Sequence, residues 1–471
     1  MTARGASLRA LSRRFVLCTI AGIVGLLFVE TVTASNAAAS LNNAATGDDL
    51  VVPRWLYLST GGATIGASAL LASFVTDRRF IAYIHDRQFD VELTTVVRRG
   101  GTLVARLLGL LVLGYIIVSG LTGPQIPTVS GTVILVFAGV RAGLTMVSYL
   151  VGNPWPLLNP WRSIASVLPS LDYRYPDQFG RWPATVGFLL LIWIETTTPV
   201  STRPDYLALM VIGYSVITIL GAVCFGTERW FDTVDPISVM FRFYGSVAPL
   251  KRTDNGVTLR PHGFRLPGST LVDGFDDIAF VIALVWELTF TGFVTTESGA
   301  AVVRVLAATG LPPLLIYAAL FVGGYACFLG AYRFAANTSR KTVKTYFTGK
   351  ALAIRFAPPL LGIAAGYHLA HYLGFFISLS PSLLGVLLSP LSPPANPVVL
   401  TLPGWFGGLN IAFILAGHLL AIWLAHAAAY GTFASRLVAI RSQYPFIAIM
   451  IGYTVISLWL ISLPTTSPAF L

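Results

Sequence analysis

Charge is what this sequence most lacks: of its 471 residues only 11% are Asp, Glu, Lys or Arg, while 55% are hydrophobic. A soluble domain carries about a quarter charged residues, so an ordinary water-facing surface is excluded. The mean hydropathy of +0.74 agrees. Cysteine is nearly absent too. Cys18, Cys224 and Cys327 stand alone, with no CxxC spacing, which leaves neither a disulfide framework nor a thiolate zinc site. Acidic residues are outnumbered, 20 against 31 basic, for a net charge of +11. In a soluble chain that excess would suggest nucleic acid. Here the basic residues sit in short loops between apolar runs, with no basic stripe interleaved with aromatics, and nucleic acid is not expected as a partner.

What is present is a succession of long apolar segments, the pattern of an all-α, polytopic transmembrane helical bundle whose partner is the lipid bilayer. The first segment reads as a signal peptide over residues 1–34. Arg4, Arg9, Arg13 and Arg14 form its basic region, Phe15 to Val29 its apolar stretch, and Val32-Thr33-Ala34 its small-residue site. An uncleaved first helix is the alternative. Residues 35–471 then form a single transmembrane domain. Its spans are expected near 55–75, 103–122, 128–150, 183–200, 206–226, 277–296, 314–334, 356–379, 405–428 and 445–463. Each is about the length that crosses a hydrocarbon core of roughly 30 Å at 1.5 Å per residue. No long-period repeat is visible, so an inverted-repeat transporter plan is not indicated.

Loop charge orients the bundle. With the mature N-terminus outside, the inner loops are 76–102, 151–182, 227–276, 333–355 and 429–444, and they hold 22 Lys and Arg residues. The outer segments hold only Arg54, Arg203 and Arg304. The excess of positive charge on one side predicts a multi-pass cell-membrane protein with both mature termini extracytoplasmic. Loop 227–276 is too short for a domain of ordinary size and is expected along the membrane surface. Loop 380–404, rich in Pro and Ser, is expected to be irregular.

Within the spans, polar residues are few and therefore informative. Glu287, in ALVWELTF, lies near mid-depth, and Glu195, in LIWIETTT, nearer the outer face. Arg141, in FAGVRAGL, is the clear intramembrane cation. A charge at such depth costs about 2.5–3.5 kcal/mol on insertion scales and normally turns inward to a partner. His368 and His371 share one helix face in GYHLAHYL, with His418 and His426 in GHLLAIWLAH on the next span. Eight residues separate the last two by about 12 Å along a helix, so they cannot share a metal ion. Depth instead brings Glu287, His368, His371 and His418 together. Three imidazoles as ligands would suit zinc, iron or copper, with Glu287 as ligand or general base for an activated water. The plainer reading has each histidine bonded to a neighbouring carbonyl or hydroxyl, and HxxH outside an HExxH context is a weak motif. A proton or ion relay through Glu287 with Arg141, and His418 with His426, competes with the metal reading. Haem ligation by histidines of the last two histidine-bearing spans ranks third.

A further motif is the doubled NPW in Gly152–Arg162 (GNPWPLLNPWR). Proline stops a helix, Asn suits a cap, and Trp favours the water–lipid boundary. An interfacial re-entry at the inner surface is expected, with a cavity-lining loop as the alternative. NPWR at 159–162, YPDQFGRWPA at 175–184, FGTERW at 225–230, a YG…AP stretch at 244–249, GYHLAHYL at 366–373, GHLLAIWLAH at 417–426 and SQYPF…GYTVISLWL at 442–460 together resemble the fenitrothion-hydrolase-like family of prokaryotic membrane proteins. That resemblance implies a membrane-bound hydrolase acting on an organophosphate ester, with an unidentified small-molecule substrate, and carries no assigned catalytic residues. A permease and a non-catalytic membrane subunit are the other classes consistent with the residues.

Overall fold

The computed structural model describes residues 54–254, 256–392 and 398–471; the expected signal peptide lies outside the described residues. The ten apolar segments all become helices. Eight of them are long and apolar enough to cross a membrane: Thr95–Thr122, Gly131–Leu150, Pro204–Phe225, Phe275–Val294, Pro313–Val343, Leu360–Leu388, Phe406–Thr432 and Arg436–Ile461. The other two differ. Trp182–Thr197 has only 16 residues. The first helix, Arg54–Phe74, is followed after a short break by Arg78–His85, bent away by 112°. Asp77 stops continuation there, because its side chain accepts from the amides of Arg79 and Phe80 and starts a new helix.

The bundle is organised around Phe275–Val294, whose apolar window is 89% buried. It packs against Trp182–Thr197, Pro313–Val343, Leu360–Leu388 and Arg436–Ile461. A helix hydrophobic all round and enclosed by protein is a bundle core. Thr95–Thr122 is the opposite case, with only 17% of its window buried and Leu103, Leu107 and Leu111 facing outward. Between Leu360–Leu388 and Phe406–Thr432 the backbones almost touch. A Cβ on Gly366 would lie 2.6 Å from the Phe413 carbonyl oxygen, and one on Gly417 2.6 Å from that of Gly362. Glycine is what allows this approach, the usual device where lipid provides no hydrophobic drive between helices.

Two expectations need correction. The irregular loop expected at 380–404 starts later, since the helix continues through Pro381 to Leu388. Proline there leaves the Ile377 carbonyl without its helical partner, and the Ser380 hydroxyl takes it at 2.8 Å. The basic loops also contain strands. Phe89–Glu92 and Leu250–Arg252 flank Gly256–Leu259 in a small antiparallel sheet, with Phe89 opposite Leu259 and Lys251 opposite Thr258.

The doubled NPW forms two short helices, Trp155–Leu158 and Pro160–Ala165, and its tryptophans are buried in protein. The Trp155 indole and the Asn159 amide both donate to the Ser238 hydroxyl, at 3.1 and 3.0 Å. Trp161 donates to Ser215 at 2.7 Å. The indoles thus find their polar partners inside the protein. Ion pairs tie the neighbouring motifs together: Arg162 to Glu228, Arg229 to Asp177 at 3.1 Å, and Arg181 to the buried Asp277 at 2.5 Å.

Candidate functional site

Arg141 is held on a wide, π-wound stretch, Ile134–Leu144, inside the Gly131–Leu150 helix. Such winding is rare and concentrates at functional positions. The guanidinium reaches Glu287 with both terminal nitrogens, Nη2 donating to Oε2 at 2.5 Å and Nη1 to Oε1 at 3.4 Å. Its Nε lies 3.2 Å from Glu195 Oε2, close enough for an ion pair but not aligned as a hydrogen bond. The Tyr372 ring covers it at 5.1 Å. Three helices thus supply one cation and two carboxylates. Glu287 is fully enclosed, whereas the side chains of Arg141 and Glu195 each keep 12% exposure.

His368 joins this cluster from Leu360–Leu388. Its Nε2 is 3.2 Å from the Arg141 carbonyl oxygen and its Nδ1 3.1 Å from the Tyr149 hydroxyl. A carbonyl only accepts, so Nε2 carries the proton and Nδ1 accepts from Tyr149. The ring of Tyr244, from the helix Pro236–Gly245, lies edge-on to the same imidazole at 5.5 Å. The order of groups is therefore Glu195, Arg141 with Glu287, His368, and the tyrosine pair.

The remaining sequence candidates divide. His371 is half-buried beside Tyr372, with ring centroids 5.0 Å apart. His418 is fully buried; its Nδ1 donates to the Ile414 carbonyl oxygen at 2.8 Å within its own helix, and its Nε2 has no hydrogen-bond partner among the described residues. His426 is elsewhere, its Nε2 donating to the Val75 carbonyl oxygen at 2.8 Å and so tying its helix to the break after Arg54–Phe74. Glu287 pairs with Arg141, and both nitrogens of His368 are already engaged. Among the described residues no group of three or more His, Cys, Asp or Glu side chains is placed to hold a metal ion. As arranged, these residues do not fit a zinc, iron or copper centre.

Sequence reasoning missed the aromatic members, Tyr149, Tyr244 and Tyr372. A signal existed, because Tyr372 directly follows His371 in GYHLAHYL and Tyr244 opens the YG stretch. No family model, curated protein or solved structure matches this chain, so the functional reading rests on the geometry.

Proposed function

We propose that the chain is a proton- or cation-coupled membrane carrier with its coupling site at Arg141, Glu195 and Glu287. The observation that carries this is a charge count. One guanidinium faces two carboxylates, so with both ionised the cluster bears one surplus negative charge at a depth where an uncompensated charge is costly. A proton or a small cation balances it. Glu287, enclosed and held by both terminal nitrogens, is the fixed counter-ion of Arg141. Glu195, with a single unaligned contact and partial exposure, is the exchanging carboxylate. His368 and Tyr149 extend the polar line away from Glu195 and are suited to pass or position a proton.

The test is flux in proteoliposomes loaded with a pH-sensitive dye and challenged with gradients of sodium, potassium and small organic ions. A gradient-driven pH change above that of empty vesicles, lost in folded Glu195→Gln protein, supports the carrier. Its absence for every gradient tried with intact wild type counts against it.

One observation favours a second reading, a hydrolase of the kind that the family resemblance implies, here with a metal held by the histidines: the buried His418 Nε2 is a lone-pair donor with no partner among the described residues. That reading requires His368 to give up a bond and join His371 and His418. Elemental analysis of detergent-purified wild type and His418→Ala decides it, since a stoichiometric transition metal lost in the variant would displace the carrier proposal.

A further inference from the structure

A cavity of about 740 Å³ opens at the basic-loop face, and no member of the Arg141 cluster lines it. Its walls come from the bent helix Arg78–His85, the segment 260–273 after the small sheet, the helix Gly349–Phe356 and the end of Phe406–Thr432. Four arginines line it, Arg78, Arg260, Arg265 and Arg355, against two carboxylates, Asp86 and Asp273. None of the four arginines forms an ion pair among the described residues. Arg265 spends its donors on the Ala248, Pro249 and Thr258 carbonyls at 2.7–2.9 Å, and Arg78 on the Tyr430 carbonyl at 2.6 Å. Carbonyl dipoles fix these guanidinium groups in place without cancelling their charge. Arg355 lies over the Phe347 ring at 4.9 Å, again without a carboxylate.

The second, independent observation is His85. It is 9% exposed, stacks on Phe264 with ring centroids 4.3 Å apart, and donates from Nδ1 toward the Phe264 carbonyl oxygen. Its Nε2 has no partner among the described residues, although the ring lines the cavity. That nitrogen calls for a ligand atom with which it can share a proton. A carboxylate near neutrality brings none. A phosphate monoester, whose second ionisation falls near pH 6, keeps one on a fraction of its molecules near neutrality. The rest of the wall is apolar, with Ile81, Leu266, Val272 and Ile354 among it, and the volume far exceeds that of a phosphate ion.

We infer that this cavity binds a phosphate monoester, its phosphate held by the arginines and His85 and its apolar remainder by the aliphatic wall. Arginine guanidinium groups present donors in the fork geometry that phosphate oxygens accept, and an uncompensated cationic cavity concentrates anions from solution. The site is separate from the coupling site and does not depend on the carrier reading.

The experiment is calorimetric titration of the full-length protein in maltoside micelles with three probes: dioctanoyl phosphatidic acid, inorganic phosphate and dioctanoyl phosphatidylcholine. Saturable binding of phosphatidic acid is expected, with no competition from phosphatidylcholine. The double variant Arg260→Gln/Arg355→Gln should weaken it about tenfold or more, Arg355→Lys, which keeps the charge but not the fork, should weaken it less, and Glu195→Gln should leave it unchanged. Inorganic phosphate binding as tightly as the lipid would make free phosphate the source; much weaker binding makes it the amphiphile. No saturable binding of either phosphate probe overturns the inference, as does equal affinity for phosphatidylcholine or undiminished affinity in a folded double variant.

Discussion

Removing each charge of the Arg141 cluster in turn should produce three different stabilities. Arg141→Met leaves Glu195 and Glu287 facing each other with no cation, and Glu287 is fully enclosed. Stripping one partner from a buried pair costs about 3–5 kcal/mol, and two stranded carboxylates place this variant at the top of that range. Glu287→Gln is milder. It removes two charge-assisted bonds, 2.5 and 3.4 Å long, but Glu195 still balances the guanidinium. Hydrogen bonds to charged groups are worth about 1.5–3 kcal/mol, and the glutamine oxygen can still accept one of them. Glu195→Gln removes the surplus charge and leaves a one-to-one pair, so its cost should be under about 1 kcal/mol and its sign could be stabilising. The assay is reversible unfolding by sodium dodecyl sulfate in mixed micelles, followed by tryptophan fluorescence at pH 7. The ordering Arg141→Met, then Glu287→Gln, then Glu195→Gln is the expected result. A Glu195→Gln variant as damaged as Glu287→Gln would refute the charge count, because it would mean that Glu195 is a required partner and not the surplus acid.

Three further outcomes are expected. Tyr149→Phe strips the donor from His368 Nδ1, which should cost about 1–3 kcal/mol and move the Nδ1 resonance in nitrogen-15 spectra of the labelled protein, while Nε2, still donating to the Arg141 carbonyl, keeps its proton. Gly366→Val drives a side chain into the Phe413 carbonyl and the Gly417 backbone, so the two helices must separate; a loss of about 1–3 kcal/mol or more is expected in the same unfolding assay. Ser238→Ala orphans the Trp155 indole and the Asn159 amide together, each worth about 1–3 kcal/mol when left buried without a partner, and should lower the melting temperature measured by differential scanning fluorimetry.

The fold was legible where one property dominates. Lipid accepts apolar helices and little else, so runs such as that around Phe275–Val294 announce themselves. Hydropathy also placed Arg141 and Glu287 at similar depth, and their pairing was among the readings it allowed. It gave height but not direction around the helix axis. Depth allowed Glu287 to meet either Arg141 or the three histidines, and it pairs with Arg141, because an acid so deep is stabilised most by the nearest cation. His368 and His371 share a face in principle, yet one is sealed under Tyr149 and Tyr244 while the other is only half-buried. The sheet was invisible for another reason. Phe89–Glu92 finds its partner at Gly256–Leu259, and no local pattern of four residues encodes a pairing that distant. The burial of the tryptophans of the doubled NPW was not legible because their partners, Ser215 and Ser238, lie in other segments.

The carrier reading requires the cluster to carry one exchangeable charge. Infrared difference spectroscopy of the protein in lipid nanodiscs, titrated from acid to alkaline pH with and without sodium or potassium, reads this directly. The expected result is one buried carboxylic-acid band that titrates or is displaced by a cation and that disappears in Glu195→Gln. Two carboxylates ionised across the whole range, with no cation bound and no difference between wild type and Glu195→Gln, would contradict it.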